Sequence, residues 1–267
     1  MIKLPKLLAA TEKVLADREN WKDLRELLIP GTSLGGARPK ATVTDKEGNL
    51  WPAKFARQSD DYSVVQWEAV ALRPAQKCGL KMAEWRLQNV AGKAVLLIKR
   101  FDRQGKRRIP FVSGMAMLNA RDGESSQYSY LDLAAVIQEY SSDVVSDLRE
   151  LWQRILFSVL IANTDDHLRN HGFIRLDQHG WTLSPLYDVN PCPDRPDYLQ
   201  LKITDTNNKA ELDLVLEVSA FFGISKTQAE REVKQMRKIM AAWPLVAQEL
   251  GIKKAEITRM QTAFKRV

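Results

Sequence analysis

The sequence predicts an α+β fold of two lobes, a small mixed α/β lobe over residues 1–103 and a mainly helical lobe over residues 104–267. Three observations lead to this prediction. Short alternating stretches in the first hundred residues indicate strands around one helix. Apolar residues at helical spacing follow in the second part of the chain. A polar stretch from Arg103 to Ser126, rich in Gly, Ser and Arg, separates the two patterns.

The composition favours a folded chain with a sizeable core. Of the 267 residues, 45% are hydrophobic and 27% are charged, fractions that exclude a disordered or collagen-like chain. The longest uncharged apolar stretch is Ile155–Ala162, whereas a membrane span needs about 20 residues. The N-terminus shows no secretory signal. Cys78 and Cys192 are far apart and form no metal or disulfide pattern, so we expect a cytoplasmic protein without a membrane partner.

The net charge of +7 is unevenly distributed along the chain. Residues 1–110 contain 22 Lys/Arg and 12 Asp/Glu, whereas residues 111–267 contain 18 and 21. The basic first part is consistent with an anionic partner such as nucleotide phosphate, nucleic acid or an acidic protein. An excess of surface lysine explains the charge equally well.

The first lobe is predicted to contain a helical arm, two strands, a helix and two more strands. Turn signals at Asp45–Asn49 and Ala91-Gly92 divide the two pairs of strands. We expect Pro74 to end or kink the helix, because proline lacks the N–H of the helical ladder. The apolar spacing places the arm at Lys6–Leu28, the return strand of the first pair at Leu50–Phe55, the helix at Tyr62–Lys77 and the second pair at Lys81–Gln88 and Lys93–Phe101.

The second lobe is predicted to be mainly helical. Tyr130–Tyr140 and Val144–Ala162 are helices, and the second has the clearest i, i+3, i+4, i+7 spacing in the chain. Gly172–Leu176 and Trp181–Ser184 are expected to form a short hairpin. From Glu211 onward the pattern is helical to the end of the sequence.

Three features of the first lobe point to phosphate binding. The glycines of Gly31–Gly36 allow backbone N–H groups to turn toward an anion, although a glycine-rich hairpin without a ligand is the commoner structure. Lys54 lies on a predicted strand, facing away from its apolar neighbours. Glu68 on the following helix can pair with it, as in other phosphoryl-transfer sites. Taken alone, each of these two charges is equally consistent with an exposed surface residue.

The segment Asn163–Asn170 concentrates charged and amide side chains directly after the clearest helix. Such side chains need either water or a site. Asp165 and Asn170 are separated by four residues, the spacing between a kinase catalytic base and its metal-binding asparagine. Asp188, after the predicted hairpin, would supply a second oxygen ligand for Mg²⁺, although alone it is also consistent with a turn or a helix cap. The order of all these features is that of a two-lobed, protein-kinase-like phosphotransferase that uses ATP and Mg²⁺.

Five stretches together resemble the HipA-like kinases, bacterial serine/threonine kinases that act as toxins in toxin–antitoxin operons. They are GTSLGGARPK, WPAKF, KRFDR, NTDDHLRN and SPLYDVNP, and the resemblance extends from about Leu28 to about Met260. It implies an aminoacyl-tRNA synthetase as the substrate, whose phosphorylation halts translation. It also implies a DNA-binding antitoxin of the HipB type as a partner, with DNA contacted only through that antitoxin.

The resemblance implies a role for each matching residue. Asp165 matches the catalytic aspartate, and His167 matches a motif histidine that either supports catalysis or only forms structural hydrogen bonds. Asn170 and Asp188 match the Mg²⁺ ligands. Ser33 matches a serine whose autophosphorylation ejects the glycine loop and inactivates the kinase. The nucleotide-binding residues are Ser33, Gly35, Gly36, Lys54, Glu68, Arg100 and Phe101, of which the last two belong to a hinge, Ile98–Phe101, beside adenine.

The sequence departs from the family pattern before the glycine loop. Typical members carry an additional small domain there, whereas only residues 1–30 precede Gly31. We therefore expect either a shortened chain or a separate small protein that replaces this domain as a partner. The phosphotransfer residues are unaffected by this difference.

Two other functions stay open. A catalytically inactive module with the kinase fold would bind ATP and Mg²⁺ without turnover and would contact an antitoxin–DNA complex. A metal-dependent nuclease or phosphodiesterase would use Asp165, His167 and Asp188, but it gives no reason for Lys54 or the glycine loop. Zinc binding by His167 and His171 is disfavoured, because the glycine and asparagines around them indicate a loop rather than a helix.

Overall fold

The computed structural model describes residues 4–5, 8–9, 40–57, 60–105, 107–176 and 180–267. The chain divides into two compact units. One comprises Met1–Ala69 and Ala83–Arg108, and the other comprises Val70–Met82 and Ile109–Val267. The predicted glycine loop and most of the predicted helical arm lie outside the described residues.

The first unit is built on a four-stranded antiparallel sheet in the order β1-β2-β4-β3. Both predicted hairpins are confirmed, with turns at Asp45–Asn49 and at Ala91-Gly92. The strands are β1 (Lys40–Thr44), β2 (Leu50–Phe55), β3 (Trp85–Val90) and β4 (Lys93–Ile98), followed by a ribbon of β5 (Arg103–Gln104) and β6 (Arg107–Arg108).

The core of this unit lies on one face of the sheet. Trp51, Ala53 and Phe55 alternate along β2 and are buried against a set of apolar residues from the other strands and the N-terminal segment: Leu8, Ala41, Val90, Val95 and Leu97. Because successive side chains of a strand point to opposite faces, Lys54 lies on the face away from this core.

A helix, α1 (Val64–Lys77), follows the first two strands. Of the two alternatives expected for Pro74, that it ends the helix is wrong, because the helix continues to Lys77 and the Cys78 N–H donates to the Pro74 carbonyl at 2.8 Å. A kink at Pro74 stays a prediction. Proline removes one donor of the ladder, but its carbonyl still accepts, so the last turn stays hydrogen-bonded.

The predicted strand Lys81–Gln88 begins four residues late, at Trp85. The physical reason is a competing backbone partner: the Leu186 N–H donates to the Lys81 carbonyl at 2.7 Å, and Met82 and Leu186 form an isolated parallel bridge. Residues 81 and 82 therefore belong to the second unit.

The second unit is mainly helical, as predicted, with a small three-stranded sheet in the order β7-β8-β9. The two predicted helices and the short hairpin of β8 and β9 are confirmed, and the chain after Glu211 is helical in five segments. The elements are β7 (Phe111–Ser113), α2 (Gly114–Met117), α3 (Tyr130–Tyr140), α4 (Val144–Leu160), β8 (Gly172–Ile174), β9 (Thr182–Leu183), α5 (Leu212–Glu217), a 3₁₀ turn (Val218–Phe222), α6 (Lys226–Met240), α7 (Trp243–Glu249) and α8 (Lys254–Met260).

Helix α4 is the central element of this unit. Asp143 caps its N-terminus by accepting from the Ser146 N–H, and Leu151, Trp152 and Ile155 along its length are fully buried. Among the described helices, none is long and apolar enough to cross a lipid bilayer.

Candidate active site

Lys54 and Glu68 form a buried ion pair in the first unit. The Lys54 Nζ lies 2.7 Å from Glu68 Oε1 and 2.8 Å from Oε2, and the two residues are only 7% and 2% exposed. The two-residue period of β2 turns Lys54 toward the helix, and Glu68 occupies the second turn of α1. The sequence expectation that this glutamate holds the lysine amine agrees with the geometry.

The predicted hinge residue Arg100 is held by a carboxylate and by the sheet. Its guanidinium donates to Asp102, with Nε 2.7 Å from Oδ1. Its backbone N–H donates to the Leu50 carbonyl at 2.9 Å. This ion pair raises the pKa of Arg100. Burial tends to raise the pKa of Asp102, but the guanidinium prevails and holds it below its ordinary value. The backbone N–H of Arg100, in the predicted hinge, is therefore already engaged within the sheet.

The candidate catalytic loop begins where α4 ends. Ala162 adopts a left-handed conformation with φ of 48°, which turns the chain out of the helix. The Asn163 carbonyl accepts from the Asp166 N–H at 3.2 Å, and the His167 carbonyl accepts from the Asn170 N–H at 2.8 Å. The resulting compact loop leaves Asp165 exposed and buries Asn170.

Two hydrogen bonds join this loop to the segment that carries Asp188. The Asn170 Nδ2 donates to the Asp188 carbonyl at 3.2 Å, and the Tyr187 hydroxyl donates to the Arg169 carbonyl at 2.6 Å. Asp188 itself has a left-handed backbone, with φ of 60°, which is uncommon for a residue with a side chain. The fold thus brings together the two residues that the sequence assigns to Mg²⁺.

The side chains at this junction present oxygen atoms that suit a hard cation. The buried Asn170 Oδ1 has no hydrogen-bond partner among the described residues, and the same is true of the buried Asn190 Oδ1. The Asn190 Nδ2 donates to Asp188 Oδ1 at 3.3 Å, so its amide oxygen points away from that carboxylate oxygen. Carboxylate and amide oxygens are the donors that Mg²⁺ prefers, whereas zinc favours nitrogen and sulfur. Within the described ranges, His, Cys, Asp and Glu side chains form no cluster of three or more suited to a metal.

Asp166, the neighbour of the predicted base, is buried and lies at the centre of a polar network. Its Oδ2 accepts from the Tyr130 hydroxyl at 2.6 Å and from the Ser158 hydroxyl at 3.1 Å, and its Oδ1 lies 3.0 Å from His171 Nε2. Burial alone would raise the pKa of Asp166, but His171 and the hydrogen bonds outweigh it and lower that pKa. Burial and the adjacent carboxylate raise the pKa of Tyr130 well above its ordinary value.

His167 lies at the start of a short 3₁₀ turn, Leu168–Asn170, and not on an α-helix. Its Nδ1 is buried and has no hydrogen-bond partner in the described part of the chain. The resemblance implies that His167 either supports catalysis or forms structural hydrogen bonds, and both roles stay predictions.

The structure therefore assembles two separate groups of predicted residues. One is Lys54 with Glu68, and the other is Asn170 with Asp188 in a network beside exposed Asp165. Ser33, Gly35 and Gly36 lie outside the described residues.

Sequence reasoning missed three contributors to this site. Tyr130 looked like an ordinary core residue of a helix, and Asp166 was overshadowed by the Asp-x₄-Asn spacing of its neighbour. Asn190 carried only a weak signal, its amide side chain two residues after Asp188.

The chain is similar to proteins of one family along most of its length. The family model described as the HipA-like C-terminal domain matches residues 32–243. A protein of Haemophilus influenzae named "Putative kinase" is 29% identical over 190 residues, which cover 61% of this chain and 54% of that protein. The chain thus spans about half the length of this curated relative.

Two solved structures have a similar fold. A chain of the Shewanella oneidensis toxin–antitoxin complex of HipA, HipB and operator DNA matches with a TM-score of 0.69 and 17% identity, over 89% of this chain and 64% of that chain. The Helicobacter pylori proinflammatory kinase CtkA matches with a TM-score of 0.53 and 18% identity, over 89% of this chain and 94% of that chain. These matches confirm the predicted α+β, kinase-like fold. Together with the family match over most of the sequence, they show that this chain belongs to the family of HipA-like C-terminal domains.

Proposed function

We propose that this chain is an ATP-dependent protein serine/threonine kinase. The observation that carries the proposal is the junction of Asn170 and Asp188, where an asparagine amide bonds the aspartate backbone while its own buried oxygen has no partner among the described residues. Exposed Asp165 lies five residues before Asn170 in the same loop. A carboxylate that can accept the proton of the acceptor hydroxyl and oxygen donors that can hold Mg²⁺ are the parts that phosphoryl transfer to a protein hydroxyl uses.

In the proposed reaction, Asp165 orients a serine or threonine hydroxyl of the substrate and accepts its proton. The hydroxyl oxygen forms a bond to the γ-phosphorus of ATP, and the bond from that phosphorus to the bridging oxygen breaks, which releases ADP. Lys54, held by Glu68, neutralises charge on the nucleotide phosphates. Positioning and charge neutralisation supply most of the rate, because little covalent chemistry falls to the protein.

Asn170 and Asp188 are the residues that would hold Mg²⁺. When bound, the ion neutralises negative charge on the phosphates and orients them. Asn190 supports this assignment, because its amide restrains the Asp188 carboxylate at 3.3 Å.

We extend the proposal to biology through family membership. The chain would act as the toxin of a toxin–antitoxin pair in the cytoplasm, with an aminoacyl-tRNA synthetase as substrate and a HipB-type antitoxin as partner. Support for the partner is the likeness to a chain of the solved complex of HipA, HipB and operator DNA.

The test is the intact mass of the purified chain before and after incubation with ATP and Mg²⁺. We expect a gain of one phosphate that fragmentation assigns to Ser33. Asp165→Asn should remove the gain and keep ATP binding, and Asp205→Asn, a change at an exposed aspartate of another loop, should keep both.

Transfer that persists in Asp165→Asn would contradict the role of Asp165. ATP binding without any transfer, by a chain that carries no phosphate at the start, would instead support the inactive module. If activity appears only when the additional N-terminal domain is supplied as a separate protein, the kinase assignment stands and that partner is required.

A further inference from the structure

A side-chain contact between Asp166 and His171 links the two ends of the candidate catalytic segment, Asp165–Asn170. Asp166 directly follows Asp165, and His171 directly follows Asn170. The His171 Nε2 lies 3.0 Å from Asp166 Oδ1, so a side-chain contact spans the interval between the predicted base and the predicted metal ligand. Because the carboxylate can only accept, we assign the hydrogen to Nε2.

Both members of this pair are fixed to the body of the second unit. Asp166 is 3% exposed, and its Oδ2 accepts from Tyr130 on α3 and from Ser158 on α4. His171 is 1% exposed, and its carbonyl accepts from the Gly114 N–H at 2.6 Å. The Tyr130 ring also packs edge-on against the His171 ring, with centroids 5.6 Å apart.

We propose that the Asp166–His171 pair is a positioning element that sets the separation of Asp165 from Asn170. The inference rests on the proposed kinase function, since it concerns how that site is held. Asp165 is exposed and lies in a loop, so its own contacts do not fix its position. The contact between buried Asp166, which follows Asp165, and buried His171, which follows Asn170, restrains the loop at both ends.

The physical argument is one of tolerance. A displacement of about 1 Å at a reacting group costs about 100-fold in rate. Loop residues are held within such a distance only when buried partners fix their positions. Residues that orient metal ligands from behind typically change affinity or activity by about 10- to 100-fold when they are replaced.

A buried aspartate elsewhere in the same unit provides a matched control. Asp147 is fully buried on α4 and accepts from the Ser141 hydroxyl, the Thr182 hydroxyl and the Leu183 N–H at 2.8, 3.1 and 2.8 Å. It therefore has the burial and the number of donors that Asp166 has, but it lies outside the candidate catalytic loop. Asp147→Asn reports the effect of weakening such a network alone.

The experiment compares His171→Phe, which keeps an aromatic ring and removes the hydrogen bond, with His171→Gln, whose amide can donate from the position of Nε2. Four quantities are measured: kcat, KM for ATP, the dissociation constant of Mn²⁺ alone, and the urea midpoint. We expect His171→Phe to lower kcat and weaken Mn²⁺ binding by about 10- to 100-fold each. His171→Gln should restore part of both, and Asp147→Asn should lower the urea midpoint without changing kcat or Mn²⁺ binding.

Unchanged kcat and Mn²⁺ binding in a folded His171→Phe protein would overturn the inference. So would equal losses in Asp147→Asn, because the effect would then follow stability alone. A wild-type chain that transfers no phosphate even with the additional N-terminal domain supplied, but whose Mn²⁺ binding depends on His171 as described, would retain the positioning element and reject the kinase assignment. If His171→Phe does not fold, Asp166→Asn and Tyr130→Phe take its place, because they weaken the same network from its other side. Their kcat and Mn²⁺ binding then test the inference.

Discussion

The Nζ atom of Lys54 lies 2.7 Å from Oε1 of Glu68, and both side chains are almost completely buried. A buried ion pair adds little to stability, because removing two charges from water costs about as much as their attraction returns. Apolar residues of similar size would serve the fold as well. We propose that the pair serves to hold an ammonium group in a fixed position, as binding phosphate needs.

The first prediction separates the structural from the functional contribution of this pair. Lys54→Met leaves Glu68 buried without its lysine, and we expect a loss of about 3–5 kcal/mol in the free energy of unfolding. Combining it with Glu68→Leu should recover most of that loss, because no charge then remains buried. The double variant should fold but bind ATP weakly, as measured by urea unfolding and by calorimetry with ATP. A double variant that binds ATP like the wild type would contradict the role of Lys54.

The second prediction concerns the backbone of Asp188. Its φ of 60° is tolerated by asparagine and disfavoured for alanine. Asp188→Asn should therefore keep the wild-type unfolding midpoint and weaken Mn²⁺ binding. Asp188→Ala should also weaken Mn²⁺ binding, and it should in addition lower the free energy of unfolding by about 1 kcal/mol or more. Urea unfolding and Mn²⁺ titration measure the two effects. Equal stability of the two variants would show that the left-handed backbone carries no strain.

The third prediction tests Asn190, which the sequence did not single out. Asn190→Ala removes both the hydrogen bond to Asp188 Oδ1 and the buried oxygen that has no partner among the described residues. We expect Mn²⁺ binding to weaken by about 10-fold, as for other residues that orient a ligand. Asn208→Ala is the control, since its amide donates to the Leu199 carbonyl in a different loop. Equal Mn²⁺ affinities for the two variants would exclude Asn190 from the site.

Local patterns predicted the parts of the site that depend on local geometry. The period of two along β2 was sufficient to turn Lys54 away from the core, and the helical pattern placed Glu68 within reach. The predicted start of the strand at Lys81 was wrong, because a backbone bond from Leu186 captures that segment. Likewise, the helix continues through Pro74, since one missing donor does not outweigh the remaining hydrogen bonds.

The features that the sequence could not supply depend on long-range packing. Asp165 and Asp166 are identical neighbours, and only the left-handed turn at Ala162 and the donors from α3 and α4 decide which one is buried. Similarly, Asn170 meets Asp188 where the hydroxyl of Tyr187 donates to the carbonyl of Arg169, 18 residues earlier in the chain. The family resemblance anticipated the pairing of these two residues, but no spacing rule contains it.

The fourth prediction follows from the lowered pKa of Asp166. Because the pKa is lower in the folded chain than the value of about 3.9 in the unfolded chain, the ionised form stabilises the fold above about pH 4. This contribution disappears as the pH falls through the folded-state pKa, where the carboxylate takes up a proton. Asp166→Asn lacks the charge at every pH, so its deficit in unfolding free energy should shrink below about pH 4.

Urea unfolding of the wild type and Asp166→Asn between about pH 7 and about pH 3 measures this difference. Tyr130→Phe should show a smaller deficit with the same dependence on pH, because it removes one of the hydrogen bonds that lower the pKa. A deficit that stays constant down to the lowest pH would mean that Asp166 stabilises the loop by shape and hydrogen bonding alone. In that case the carboxylate charge would have no part in holding His171 beside Asn170.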